Sequence, residues 1–389
     1  MRRRRAGLLV CASLCACAAG KPASGGADDA APYRIELPAH FPPLPADPDA
    51  PFSRVEVELG RHLFYDRHLS QNDTQSCASC HRQELAFTDG RTRAIGSTGQ
   101  TGPRNTPSLA NAAYMTTLTW ANPLLRHLSQ QALVPMFGDR PVELGLTGNA
   151  EHLLDALHAS ATYTDLFGRA YPNDADPISL AHVTRALTAF ERTLISADSA
   201  YDHYLEGDTT ALDTAQVRGM QLFFSQRLGC GGCHTGFDLS DGVEGTDAEM
   251  NDPDGAPFHN TGLYNLDDDG GYPDSTGLFA FTGQPSDMGR FRTPSLRNIA
   301  VTAPYMHDGS IATLDEVLDH YAQGGRTIAS GPDAGVGSAN PHKSPRVTGF
   351  TLASDERSDL LAFLQALTDS SLLDDPRFSD PWGASEEKP

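Results

Sequence analysis

Cys77-Ala78-Ser79-Cys80-His81 and Cys230-Gly231-Gly232-Cys233-His234 each put two thiols and an imidazole within five residues. A Cys-X-X-Cys pair alone suits a zinc site or a thiol–disulfide centre. With a histidine fused to the second cysteine, the pattern fits covalent attachment of haem c. Two thioethers grip the vinyl side of the macrocycle, and the histidine turns beneath the iron as its proximal ligand. Two such motifs predict two haems. They use four of the seven cysteines, and the other three (Cys11, Cys15, Cys17) stand near the N-terminus. No cysteine pair is left for a disulfide in the body of the chain.

The elements that position these motifs repeat. Gly60-Arg61-His62-Leu63-Phe64-Tyr65-Asp66-Arg67-His68-Leu69 leads into the first, and Gly219-Met220-Gln221-Leu222-Phe223-Phe224-Ser225-Gln226-Arg227-Leu228 into the second, both with apolar residues at helical spacing. Thr106-Pro107-Ser108-Leu109 recurs as Thr293-Pro294-Ser295-Leu296, each followed by an asparagine two residues on. Amphipathic helices over 180–195 and 355–367 close the two halves. The repeat predicts a mainly α fold of two cytochrome c-like haem domains with long loops, residues 51–207 and 208–372, and a C-terminal tail over 373–389. The join falls in the polar stretch 206–213. The Gly/Asp/Pro-rich run 238–274 predicts a long exposed loop. Its acids Asp252, Asp254, Asp267, Asp268 and Asp269 lack the spacing of an EF-hand and read as solvated.

The N-terminus, Met1-Arg2-Arg3-Arg4-Arg5 followed by an apolar stretch to Ala16, has the charged and apolar regions of an export signal over residues 1–16. That stretch is too short to span a bilayer comfortably. Leu14-Cys15-Ala16-Cys17 resembles a lipobox, which would make Cys17 a lipidated N-terminus; ordinary cleavage near Ala19 is the alternative. Residues 17–50 follow as a tether and N-terminal segment, Gly-, Ala-, Ser- and Asp-rich at its start. Net charge is −21, and −25 once the four arginines of residues 1–16 are removed. That balance argues against nucleic acid and anionic membrane surfaces as partners. Export agrees with haem c, which is attached outside the cytoplasmic membrane, and predicts a periplasmic protein.

Beyond the haem motifs, the chain carries Phe87-Thr88-Asp89-Gly90, Arg104-Asn105-Thr106-Pro107-Ser108-Leu109 and Thr302-Ala303-Pro304-Tyr305-Met306-His307-Asp308-Gly309. On these it resembles the bacterial di-haem cytochrome c peroxidase and MauG superfamily over about residues 59–368. Leu118-Thr119-Trp120-Ala121-Asn122-Pro123 and Pro135-Met136-Phe137-Gly138 look most like the MbnH branch, MauG-like enzymes that act on a partner protein. The superfamily's peroxidases place a distal histidine sixteen residues after the first proximal one. Here that position is Ser97, and no histidine lies between His81 and Trp120. The first iron is therefore expected to be five-coordinate and open to hydrogen peroxide. His127 is the conceivable substitute, read instead as a packed or surface histidine.

The resemblance implies further roles. Fourteen residues past His307 stands Tyr321, where MauG has a tyrosine ligand to the second iron and many of the peroxidases a methionine; Met306 and Met288 are its rivals. Trp120 matches an indole between the haems. Gln131 and Glu143 match polar residues of the peroxide pocket, Pro135 flanks it, and Glu143 would move the peroxide proton. Asn105 with the carbonyls of Thr302 and Pro304 matches a calcium site between the haems. One position departs: Leu228 stands where MauG has a surface tryptophan as exit. The expected function is peroxide-driven formation of a bis-Fe(IV) state that oxidises a tryptophan, or another aromatic residue, of an exported partner linked to copper. A cytochrome c peroxidase fed by a small redox protein is the first alternative. A non-enzymatic electron-transfer cytochrome is the second.

Overall fold

The computed structural model describes residues 31–243 and 257–383. The expectations for the signal 1–16, for Cys17, for tether residues 17–30, and for Asp252 and Asp254 lie outside the described residues.

Six helices frame the two motifs: α1 (Arg54–Tyr65), α2 (Leu128–Phe137), α3 (Leu180–Glu191), α4 (Thr214–Phe223), α5 (Leu314–Ala322) and α6 (Ser354–Gln365). Helix α1 begins in a capping box. Glu56 N–H donates to the Ser53 hydroxyl, and Ser53 N–H donates to the Glu56 carboxylate at 2.6 Å. Its buried stripe, Val55, Leu59, Leu63 and Phe64, has helical spacing and faces α3. Asp213 and Gln216 cap α4 in the same reciprocal way.

The repeat appears as two glycine crossings. A Cβ on Gly60 would stand 1.8 Å from the Ala186 carbonyl oxygen and 2.9 Å from Phe190 Cβ. A Cβ on Gly219 would stand 2.0 Å from the Asp359 carbonyl oxygen and 2.9 Å from Phe363 Cβ. Only glycine allows α1 to cross α3, and α4 to cross α6, at this distance. The same contact sets the register between the halves: Phe190 answers to Phe363.

Strands are confined to two short antiparallel pairs among the described residues. Phe258–His259 (β1) pairs with Phe291–Arg292 (β2), and Thr327–Ile328 (β3) with Gly335–Val336 (β4). No described helix is long and apolar enough to cross a membrane.

Two expectations need correction. Helix α3 stops at Glu191 rather than running to Ile195, because Thr193 and Ile195 bond to carbonyls only two or three residues back. The described part of 238–274 is not a wholly exposed loop. Asp238, Leu239 and Ser240 are completely buried, with Asp238 accepting from Asn111 at 2.8 Å and facing Arg297. Phe258, Asn260, Leu263 and Tyr264 are buried as well, while Asp267, Asp268 and Asp269 are exposed. Polarity misled there, since buried ionic and amide bonds absorb the polar residues. The tail folds back on the first half. Phe378 and Trp382 join its core, Tyr65 donates to the Phe378 carbonyl at 2.6 Å, and the Trp382 indole donates to the His62 carbonyl.

Candidate functional site

Each motif histidine is held by a backbone carbonyl from just beyond it. His81 Nδ1 lies 2.8 Å from the Phe87 carbonyl oxygen, and His234 Nδ1 3.0 Å from that of Leu239. A proton on Nδ1 donating to these carbonyls leaves the Nε2 lone pair free for a metal. Burial depresses both imidazoles' affinity for a second proton, so they stay neutral, as ligation requires. Phe87 and Leu239 both sit in the left-handed region, at φ of +62° and +51°. Such strain, on the order of 1–3 kcal/mol per residue, persists where surrounding structure demands it. Here it aims the carbonyl at the imidazole.

The second motif opens on a cavity of about 230 Å³. Cys230, Cys233 and His234 line it, with an apolar wall that includes Leu228, Phe350, Leu360 and Leu364. Two thiols, a free imidazole nitrogen and an apolar slot are the donor set and surroundings of a haem c, and the residues fit that group. Tyr321 lines the same cavity from α5. Its hydroxyl has no hydrogen-bond partner among the described residues, and burial first, then Cys233 and Cys230, push it upward. Of the two rival methionines, Met306 also lines the cavity; Met288 packs in the adjoining apolar cluster instead. Beside Cys233 lies an ion pair the sequence did not reveal, His259 Nε2 to Asp241 Oδ2 at 2.7 Å. Its members stand in the run taken for a loop.

At the first motif, Ser97 occupies the loop position at which a distal histidine would stand. Its N–H donates to the Glu143 carbonyl at 2.7 Å and its hydroxyl to the Leu144 carbonyl at 3.3 Å. Gly96 permits this, since a Cβ there would lie 1.9 Å from the Val142 carbonyl oxygen. His127 caps α2 and is exposed. Glu143 is partly buried, and burial raises its carboxyl above the ordinary range; its charge registers at both Cys77 and Cys80. Gln131 lies on α2, one turn ahead of Pro135, whose carbonyl accepts from Leu144 N–H at 2.9 Å. That bond ties the segment that carries Glu143 to α2. Nothing in the sequence singles out Glu191, whose buried carboxyl acts on Cys77 more strongly than any other charge.

Trp120 belongs to the first half yet lines the second motif's cavity. Its indole N–H donates to the Asn105 carbonyl at 2.8 Å. Asn105 in turn donates from its backbone to His307 and from its side chain to Arg91. The Asn105 amide oxygen and the Thr302 and Pro304 carbonyls accept no hydrogen bond among the described residues. All three residues line the cavity, and hard, unpaired oxygens suit a calcium ion.

Comparison with known proteins agrees with this geometry. A family profile described as di-haem cytochrome c peroxidase matches residues 54–210. The methylamine utilization protein MauG of Methylorubrum extorquens is 33% identical over 86% of this chain and 83% of its own. Cytochrome c551 peroxidase of Pseudomonas aeruginosa is 31% identical over 82% of this chain and 80% of its own. A crystal structure of a MauG-like protein associated with microbial copper homeostasis superposes with a TM-score of 0.86 at 50% identity, covering 90% of this chain and all of that one. Two haem motifs with matched histidine geometry and this extent of likeness leave one assignment: the chain belongs to the di-haem cytochrome c peroxidase and MauG family of oxidoreductases.

Proposed function

We propose that this chain is a MauG/MbnH-like enzyme that uses hydrogen peroxide to oxidise an aromatic residue, tryptophan foremost, of a partner protein in the periplasm. The observation that carries this reading is Tyr321, a part-buried phenol on the cavity that Cys230 and Cys233 also line, with no hydrogen-bond partner among the described residues. Burial opposes ionisation of a phenol, and only a cation at that place would favour the anion. The likeness to a MauG-like protein associated with copper homeostasis supports a copper-related partner.

Bound haem supplies the redox chemistry, and the protein sets ligands, pocket and path. On this reading Cys77, Cys80 and His81 hold one haem within residues 51–207, and Cys230, Cys233, His234 and Tyr321 the other within 208–372. Ser97 leaves the peroxide face of the first site open. Glu143, with Gln131 of α2, takes a proton from bound peroxide and returns it to the departing oxygen. Trp120, fixed on the Asn105 carbonyl, is the route for electrons between the sites. Asn105, Thr302 and Pro304 hold calcium there. Leu228 is buried on the cavity wall and offers no oxidisable exit, so the partner's residue comes to the rim of the second cavity. The first residues direct export, with Cys17 either lipidated or removed.

Met306, on the same cavity, favours a second reading. Thioether ligation raises a haem's potential and suits a peroxidase fed by a small redox protein. Absorption and EPR spectra of the ferric holoprotein decide between them. The proposal expects one high-spin haem and one low-spin phenolate-ligated haem. Tyr321→Phe should alter only the second and abolish peroxide-dependent oxidation of the partner. A methionine charge-transfer band that survives Tyr321→Phe would establish the peroxidase instead.

A further inference from the structure

Glu191 ends α3 as a buried residue, and its Oε2 has no hydrogen-bond partner among the described residues. An unpaired buried carboxyl is costly, and such groups call for an explanation beyond packing. The glycine crossings give its place. Phe190 answers to Phe363, so Glu191 answers to Leu364, which lines the cavity of the second motif. On the first side, the Glu191 charge raises the Cys77 thiol more than any factor except burial. By the repeat, a carboxyl therefore takes the position at which the second half puts a hydrocarbon on its cavity.

No ion pair is formed by Glu191 among the described residues. Helix α2 carries no charged residue. On α1, Glu56 pairs with Arg185, His62 is held by the Glu58 carbonyl, Arg61 reaches the Ser379 carbonyl and Tyr65 that of Phe378. Arg192, next in sequence, turns to Asp47. Glu143 is the other carboxyl that registers at Cys77. Burial alone lifts Glu191 to about 8. Its proton is thus held near neutral pH but not beyond reach.

We propose that Glu191 is a proton-coupling group of the first haem site, neutral while the iron is reduced and ionised once the iron has lost an electron. The inference rests on the reading that Cys77, Cys80 and His81 carry a haem. One electron leaves the iron for the oxidant, peroxide in turnover or ferricyanide in a titration. The Glu191 O–H bond breaks and its proton passes to water; reduction reverses both. The gain is electrostatic, because a charge gained by the metal is offset at short range in a medium of low dielectric.

The test is spectroelectrochemical titration of the holoprotein across about pH 6–9, following each haem separately. In the unsubstituted protein the midpoint potential of the first haem should fall as pH rises. Glu191→Gln and Glu191→Leu should flatten that slope without moving the second haem, while Glu143→Gln should keep it. An equal slope with and without Glu191, or no slope at all, overturns the proposal. If the Glu191 variants fail to mature, proton release measured with a pH indicator during ferricyanide oxidation of the Glu143→Gln holoprotein decides: release tied to the first haem supports it, and none overturns it. A protein carrying haem only at Cys230, Cys233 and His234 would remove the underlying reading as well, and haem content per chain separates that failure from the other.

Discussion

The Trp120 indole and the Asn105 carbonyl meet at 2.8 Å, and through this bond a residue of the first half is fixed on the cavity of the second. Trp120→Phe removes the donor and leaves the carbonyl without its partner. The expected cost is on the order of 1–3 kcal/mol of stability, read as a lower midpoint in chemical denaturation. Haem content should not change. In stopped-flow spectra after peroxide addition, the response of the second haem should lag behind that of the first, whereas unsubstituted protein shows the two together. Equal timing in Trp120→Phe would remove the indole from the route.

Glu143 carries a signed pH dependence. Burial raises its carboxyl, so the ionised form that accepts a proton becomes available only above the ordinary carboxylate range. The rate of reaction with peroxide should therefore climb with pH through that raised value. Glu143→Gln should slow the reaction by roughly 10²–10⁴-fold and leave it flat across the same interval. A pH profile identical in the two proteins would take Glu143 out of proton transfer.

How legible the site was differs from residue to residue. The haem motifs were readable as motifs, and the fixed offsets that single out Trp120 and Tyr321 lead to residues that line the cavity of the second motif. The imidazole-orienting carbonyls of Phe87 and Leu239 were not, since a positive φ at a bulky residue contradicts local preference and is imposed by tertiary contacts. His259 and Asp241 were lost because a Gly/Asp/Pro-rich run reads as a loop, whereas here part of it is core. Glu191 was hidden in an amphipathic helix: periodicity assigns a face, not the reason a carboxyl lies on it.

Gly219 tests the fold more than the chemistry. Any Cβ there would meet the Asp359 carbonyl oxygen at 2.0 Å, and backbone cannot swing aside as a side chain does. Overpacking of this kind costs about 1–3 kcal/mol or more. Gly219→Ala should lower the thermal midpoint and deplete the second haem selectively, because α4 leads into Cys230. Gly168→Ala, at another helical glycine of ordinary φ with nothing within 4 Å of the added Cβ, supplies the uncrowded control. Comparable losses in both variants would argue that crowding at the helix crossing is unimportant.

Calcium removal probes the region between the two sites. The Asn105 amide oxygen and the Thr302 and Pro304 carbonyls have no described donors, so a cation would satisfy groups that otherwise oppose one another. A ligand bound only to the folded state stabilises it by about 2.7 kcal/mol at a concentration about 100-fold above its Kd. Treatment with a calcium chelator should therefore lower the thermal midpoint of the holoprotein, and added calcium should restore it where magnesium, with its demand for tight octahedral geometry, does not. Asn105→Ala keeps the backbone bond to Trp120 but removes the amide oxygen, and should make the midpoint indifferent to chelation. If the unsubstituted protein melts at the same temperature with and without chelator, these three oxygens do not form a calcium site, and the indole–carbonyl bond and the Asn105 bonds to His307 and Arg91 must hold this region without a cation.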